Sequence, residues 1–245
     1  VPEQPYIIAH RGDRINAVEN TILACELALQ QGASALEIDI RQTASGEIVV
    51  FHDFSLKRMY MKQNYVGRVD LTELKTYPFI IDGVQKSQVV DTLDELLDRF
   101  KNKFPINIDA KTIHFFDFKF ADQIISVIQN HNLFDTVWIS CFNPFLLQIL
   151  KLKSKKIRTG YLFQRMSRIH NTYDWITFTD AWHPHYQVLD DHLVNRAVRH
   201  DKQIYVWTIN DVQTLQRISQ YPLNGIITDE IGMVRNYLQQ TSPAP

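Results

Sequence analysis

The sequence predicts an α/β protein of the (β/α)8 TIM-barrel class, with a small insertion after the second strand region. Three observations predict it. Short apolar runs alternate with helix-period segments, which implies a parallel sheet with right-handed crossovers. The main runs number eight, the count that closes a barrel. Charged and titratable residues gather at or near the carboxyl ends of those runs, where barrel enzymes carry their chemistry. The chain has 245 residues, 45% of them hydrophobic, which suits one such domain and fills a large core.

The elements follow in order. Tyr6 to Ala9 forms the first strand and runs into His10-Arg11-Gly12. Asn20 is a natural N-cap for a helix through Gln31, with Ile22, Leu23 and Leu27 in its apolar stripe and Gly32 as its stop. Residues 35–40 form the second strand. The turn Thr43-Ala44-Ser45-Gly46 folds residues 48–51 back as an antiparallel arm ending in His52-Asp53. A hairpin tip at Ser45-Gly46 sets Val49 opposite Gln42 and His52 opposite Asp39. Residues 54–90 are irregular and read as an excursion, not a second domain, with a short helical piece at 71–74. Thr92-Leu93-Asp94-Glu95 is a capping-box pattern opening a helix to Phe100.

Residues 105–111 form the next strand. The phenylalanines at 115, 116, 118 and 120 read as a helix start packing an aromatic face on the barrel; the alternative is an exposed rim that grips an acyl chain or touches a membrane. Strands are expected at 137–140, 157–163, 175–181, 203–208 and 225–228. Helices are expected from Pro144 and over 189–200, 211–220 and 231–240. Residues 241–245 read as a loose tail.

The stretch from Ile7 to Asp53 concentrates the chemistry. Side chains alternate faces along a strand, so Leu36, Ile38 and Ile40 share one face and Glu37 and Asp39 the other. Two carboxylates on a buried face stay ionised only beside a cation or strong donors, and Mg2+ or Ca2+ would suit their oxygens. The other reading is the solvated face of an edge strand. Residues 105–111 repeat the pattern with Asn107, Asp109 and Lys111 on one face, which weakens the edge-strand reading. Lys111 would neutralise the acids or hold a phosphate oxygen. His10 and His52 then flank one cation with Arg11 beside them. That is equipment for cleaving a phosphate ester: metal and guanidinium hold the anion, and imidazoles move protons.

At these residues the chain resembles the glycerophosphodiester phosphodiesterase family. The resemblance is carried by His10-Arg11-Gly12, Glu19-Asn20-Thr21, Glu37-x-Asp39, Gly46-x-x-Val49-Val50 and His52-Asp53 in this order and spacing. Ser140-Cys141-Phe142, Trp207-Thr208-Ile209-Asn210 and residues 225–229 extend it over nearly the whole chain. Val18 and Ser45 stand where the family has proline and aspartate. Asp109 stands where it has a metal-binding glutamate, one methylene longer.

The resemblance implies a single domain whose segment 54–90 overhangs the site. It implies one divalent cation, Mg2+ or Ca2+, held by Glu37, Asp39 and Asp109. Arg11 and Lys111 would bind phosphate, Phe142 and Trp207 would line the glycerol pocket, and His10 and His52 would be the catalytic acid and base. The implied reaction is hydrolysis of a glycerophosphodiester to sn-glycerol 3-phosphate and an alcohol. The alternatives are a lysophospholipase D or phosphoinositide-type phosphodiesterase of the same superfamily, or a barrel that binds glycerophosphodiesters without turnover.

A net charge of −1 argues against a nucleic-acid partner, leaving a small-molecule substrate drawn by local charge. Cys25 and Cys141 read as buried free thiols, consistent with a reducing compartment. No run is long and apolar enough for a membrane anchor. The expected location is cytoplasmic, with a periplasmic or secreted one left open because a removed leader would leave no trace. The sequence does not choose between a monomer and a homo-oligomer.

Overall fold

The computed structural model describes residues 4–101, 103–165 and 178–241. In chain order its strands are β1 (Tyr6–His10), β2 (Ala35–Gln42), β3 (Ile48–Val50), β4 (Ile80–Ile81), β5 (Val84–Gln85), β6 (Ile106–Ala110), β7 (Val137–Cys141), β8 (Arg158–Phe163), β9 (Ala181–Pro184), β10 (Gln203–Val206) and β11 (Gly225–Thr228). β1 pairs in parallel with both β2 and β11, and the parallel pairs β2–β6–β7–β8–β9–β10–β11 complete a closed eight-stranded barrel. β3 lies antiparallel on β2, outside that ring, and β4 and β5 form a separate hairpin. The class expected from the sequence is the one observed.

Two apolar layers follow from the period-2 alternation of the strands. Leu36, Ile38 and Ile40 turn outward and join the core between the strands and the surrounding helices. Ile8, Ala35, Trp138, Ala181, Tyr205 and Ile227 pack on one another in a second cluster inside the ring. Fully burying one such aliphatic side chain contributes about 1.5–3 kcal/mol. Glu37 and Asp39 therefore face the barrel interior. β2 lies between β1 and β6, so the edge-strand reading of its carboxylates is excluded.

The helices start where side-chain caps allow. Thr92 and Glu95 close the expected capping box, and Asn143, Asp190 and Asp211 cap the helices Pro144–Lys153, Asp191–Arg199 and Val212–Ile218. Such a cap contributes about 1 kcal/mol. The helix Ile22–Gln30 is capped by Thr21, not by Asn20. Asn20 is drawn away by a tertiary bond described below.

Four further expectations are corrected. The hairpin register is one residue tighter than expected: Arg41 faces Val49 and Gln42 faces Ile48. The turn closes through Gly46 N–H donating to Thr43 O at 3.2 Å, with Gly46 at φ +104°, which centres the loop on Ser45. The sixth barrel strand runs Ala181–Pro184, not 175–181; residues 178–180 precede it as a turn and bend, and 175–177 lie outside the described residues. His183, which falls beyond the end of that expected strand, is thereby a buried barrel residue. The aromatic run does not lay one face on the barrel: Asp117 caps a helix starting at Phe118, and of the four phenylalanines only Phe120 is buried. The tail from 242 onward lies outside the described residues.

Segment 54–90 shares its core with its surroundings. Leu56, Met59, Tyr60, Val66, Val69, Leu74 and Phe79 pack with Val49 and Phe51 of the arm and with Val18. Tyr60 stacks between Phe51 and Phe79, with ring centroids 5.6 and 4.9 Å away. Cys25 and Cys141 are buried free thiols.

Gly160 of β8 makes room for the His183 ring: an added Cβ would stand 2.4 Å from its Nε2 and 2.5 Å from its Cδ2. The ring is fully buried and has no space to retreat. We expect Gly160→Ala to lower unfolding stability by about 1–3 kcal/mol in urea titrations, as overpacking does; an unchanged midpoint would show that the lumen yields there.

Candidate active site

Strand register assembles the charged groups. His10 lies beside Glu37 in the β1–β2 ladder, and Asp39 directly faces Asp109 in the β2–β6 ladder. Ser140 follows on β7, next to Asp109. Carboxylate oxygens of Glu37, Asp39 and Asp109 all lie within 4.8 Å of one another, and all three residues are buried. The shorter side chain of Asp109 thus still reaches the other two. Like charges placed opposite one another on a sheet are destabilising unless compensated.

The compensation is specific. Lys111 Nζ lies 3.1 Å from Asp39 Oδ1 and also bonds Asp109. Arg11 Nε lies 3.1 Å from Asp39 Oδ2, its NH1 donates to Glu19 at 3.0 Å, and its backbone N–H donates to Glu37 Oε2 at 3.0 Å. Asn20 grips Asp39 twice: its Nδ2 donates to the carboxylate at 2.9 Å, and its Oδ1 accepts from the Asp39 amide at 3.0 Å. Burial works against the ionised form of Asp39, but Lys111, Arg11 and His52 together outweigh it and hold that carboxyl well below the usual range. Burial, with Asp39 and Asp109 nearby, pushes Glu37 well above it. Burial likewise raises Asp109, against the pull of Lys111.

The cluster is therefore short of positive charge at Glu37 and Asp109. Asp109 Oδ1 is buried and has no hydrogen-bond partner. Three convergent carboxylates, one with a vacant oxygen, fit a hard divalent cation. Glu37, Asp39 and Asp109 are the residues that would hold it.

Each histidine is paired with its own carboxylate. His10 Nδ1 lies 2.8 Å from Asp229 Oδ1, and Asp229 is held in turn by Asn210 through bonds of 2.7 and 2.9 Å. His52 Nδ1 lies 2.7 Å from Asp53 Oδ1. A carboxylate at Nδ1 fixes the ring and leaves Nε2 for proton transfer. Arg58, in the short helix Lys57–Tyr60, joins the two sides. Its Nε donates to Asp53 at 2.6 Å, and its NH1 and NH2 donate to Glu19 at 3.2 and 2.6 Å. It thus supports His52 through Asp53 and Arg11 through Glu19.

These residues share one cavity of about 290 Å3, lined by His10, Arg11, Glu37, Asp39, His52, Asp109 and Lys111, with Phe142 and Trp207 among its walls. The two aromatic rings meet edge-on at 5.7 Å, and Trp207 Nε1 donates to His183 O at 2.7 Å. The structure brings all nine expected site residues to this cavity. A wider groove of about 810 Å3 adjoins it through His52 and Lys111 and is walled by Phe54, Ser55, Lys57 and Arg58 from segment 54–90.

Comparison with known proteins agrees with this geometry. The profile of the glycerophosphoryl diester phosphodiesterase family matches residues 10–233. The chain belongs to this family. It is 28% identical over 229 residues to a glycerophosphodiester phosphodiesterase of Caldanaerobacter subterraneus subsp. tengcongensis, covering 91% of this chain and 93% of that one. A phosphodiesterase of Oleispira antarctica, solved with the product sn-glycerol-3-phosphate, superposes with a TM-score of 0.88 at 24% identity over 96% of this chain and 97% of that one. The Thermotoga maritima glycerophosphodiester phosphodiesterase superposes with a TM-score of 0.78 at 26% identity, over 96% and 98% of the two chains.

Sequence reasoning overlooked Asp229, Asp53 and Arg58 as supports and took Asn20 for a cap. A signal existed for Asp229 and Asp53, since each directly follows a strand-end position carrying a site residue or family motif. Arg58 carried none.

Removing Arg58 would strip Asp53 of a hydrogen-bonded cation and leave buried Glu19 with fewer partners; charged bonds of this kind are worth about 1.5–3 kcal/mol each. We expect Arg58→Ala to lower kcat by about 10-fold or more, with partial recovery in Arg58→Lys. Burial opposes the ionised Asp53, while His52 and Arg58 hold its carboxyl low. Loss of Arg58 raises that carboxyl, and a protonated Asp53 no longer accepts from His52. The acid limb of the pH–rate profile therefore moves to higher pH; an unmoved limb would remove Arg58 from this role.

Proposed function

We propose that this member of the family is a divalent-cation-dependent hydrolase of glycerophosphodiesters, releasing sn-glycerol 3-phosphate and an alcohol. The observation that carries the reading is the buried Glu37–Asp39–Asp109 cluster, within 4.8 Å, in one cavity with two histidines. The product named in the Oleispira antarctica complex supports the glycerol phosphate side. So does size: a cavity of about 290 Å3 has room for a three-carbon phosphoester.

A cation held by Glu37, Asp39 and Asp109 would supply Lewis-acid stabilisation of charge on a phosphoryl oxygen. The remaining work falls to the chain. Arg11 and Lys111 spread the negative charge on phosphorus, each using donors left over from its carboxylate contacts. One imidazole takes a proton from a water or from the neighbouring glycerol hydroxyl as that oxygen attacks phosphorus; the hydroxyl route forms a cyclic phosphate, which a water deprotonated by the same pair then opens to glycerol 3-phosphate. The other gives a proton to the leaving alcohol oxygen as its P–O bond breaks. Asp229 and Asp53 stabilise the imidazolium forms. Phe142 and Trp207 offer an apolar edge to the glycerol carbons.

We expect EDTA to abolish hydrolysis of glycerophosphocholine and added Mg2+ or Ca2+ to restore it, read by choline release. His10→Ala and His52→Ala should each lose about 10²–10⁴-fold in kcat while circular dichroism stays unchanged. Turnover that survives exhaustive chelation would sink the metal reading, and a histidine variant with full activity would remove that histidine from proton transfer.

A further inference from the structure

Four large apolar side chains stand out of the loop that follows β6 and the start of the next helix, at the mouth of the barrel: Ile113, Phe115, Phe116 and Phe118 are 73%, 60%, 58% and 57% exposed. None of them lines the 290 Å3 cavity. The loop does not present them by accident of looseness. Asn143, which caps the next helix through its Oδ1, turns its Nδ2 to donate to the carbonyls of His114 and Phe115 at 2.9 and 3.1 Å. Phe115 and Phe116 also pack against each other and against Phe145, with centroids 4.0–5.2 Å apart. A held, exposed apolar cluster of this size marks a surface that meets something.

The charge beside it says what. From Phe54 to Val69 the chain carries Lys57, Arg58, Lys62 and Arg68 and no acid, although the whole protein has a net charge of −1. Arg68 and Tyr65 share a groove of about 430 Å3 with Arg41, Ile113 and His114, so the basic segment and the apolar loop face one opening. Lys57 lines the neighbouring groove that runs to His52. Apolar rings beside a band of lysine and arginine match the boundary between acyl chains and anionic headgroups. A second copy of this chain fits worse, because a twofold contact would set the basic segment against itself. Among the described residues no helix is long and apolar enough to cross a membrane.

We propose that this face docks reversibly on anionic phospholipid bilayers, with Phe115, Phe116 and Ile113 entering the headgroup region and Lys57 and Arg68 meeting lipid phosphates. The docked barrel faces its mouth to the membrane. The inference is independent of the reaction, because its readout is binding.

The test is co-sedimentation of the full chain with vesicles of phosphatidylcholine alone and of phosphatidylcholine mixed with phosphatidylglycerol. The expected result is binding to the mixed vesicles that weakens with salt, and little binding to phosphatidylcholine. Phe115→Ser/Phe116→Ser should lower partitioning about 10-fold or more, and Lys57→Glu/Arg68→Glu should abolish the preference for the anionic lipid. Hydrolysis of water-soluble glycerophosphocholine by the phenylalanine double variant should stay within about twofold of the parent, which also reports that it folds. No binding to mixed vesicles, or binding by both double variants that equals the parent's, overturns the proposal. So does light scattering that shows self-association lost in the phenylalanine variant.

Discussion

The structure around the mouth of this barrel is organised by one electrostatic problem: Asp39 and Asp109 face each other across adjacent strands, with Glu37 one step below. Nothing in a parallel ladder separates them, so neighbouring parts of the chain must supply positive charge and donors. Arg11 and Lys111 do so from the ends of β1 and β6. The loop after β1 is shaped for the task. Arg11 and Asn20 both take left-handed backbone angles, φ 62° and 58°, and the Asn20 amide donates to Arg11 O at 2.9 Å. Strain of this kind costs of order 1–3 kcal/mol per residue and persists where the surroundings fix it. Here the fixing contacts are those of Arg11 and Asn20 to Asp39. Gly12 completes the turn at φ +76°, where a Cβ would stand 2.6 Å from the Ala24 carbonyl carbon.

The same carboxylates explain why the segment after the arm belongs to the site. Glu19 is buried and accepts from both Arg11 and Arg58; Asp53 accepts from Arg58 and stands at His52. Arg58 reaches this position because Met59 and Tyr60, beside it in one helical turn, are buried in the cluster with Phe51 and Val49. Packing in the segment thus orients a guanidinium, and the guanidinium orients a histidine. Charge neutrality and apolar burial act on the same few residues.

The barrel was legible because its signals are local and periodic: alternation on β2 and β6, the capping box at Thr92, Pro144 after Asn143. That nine expected residues gather in one cavity was legible because strand ends concentrate them and the family motifs repeat them. What escaped depends on contacts distant in sequence. Asp229 lies 219 residues from His10, and only barrel closure through the β1–β11 pair brings them together. Asn20 and Thr21 are both good caps by chemistry; the choice fell to Thr21 because Asp39 claims Asn20, a fact invisible along the helix. The hairpin slipped by one residue because Ser45-Gly46 and the observed Thr43–Gly46 turn carry the same composition. The aromatic run misled for a different reason, since exposed phenylalanines are uncommon and packing is the ordinary expectation.

The lumen also decides on which side the chemistry opens. Below the carboxylates the ring is filled by Trp138, Tyr205, Ile8 and Ile227, with the His183 imidazole against Tyr205 at 4.9 Å. Burial lowers the His183 pKa to about 3, so this ring stays neutral and behaves as part of the apolar plug. Among the described residues, Glu37, Asp39 and Asp109 line the cavity at the mouth. Every group that must meet solvent is gathered on that face: the histidines with their carboxylates, the grooves walled by residues 54–68, and the phenylalanines after β6. An anionic ester approaching this face meets Arg41, Lys57 and Lys111, which favours its entry into a cavity whose floor is negative.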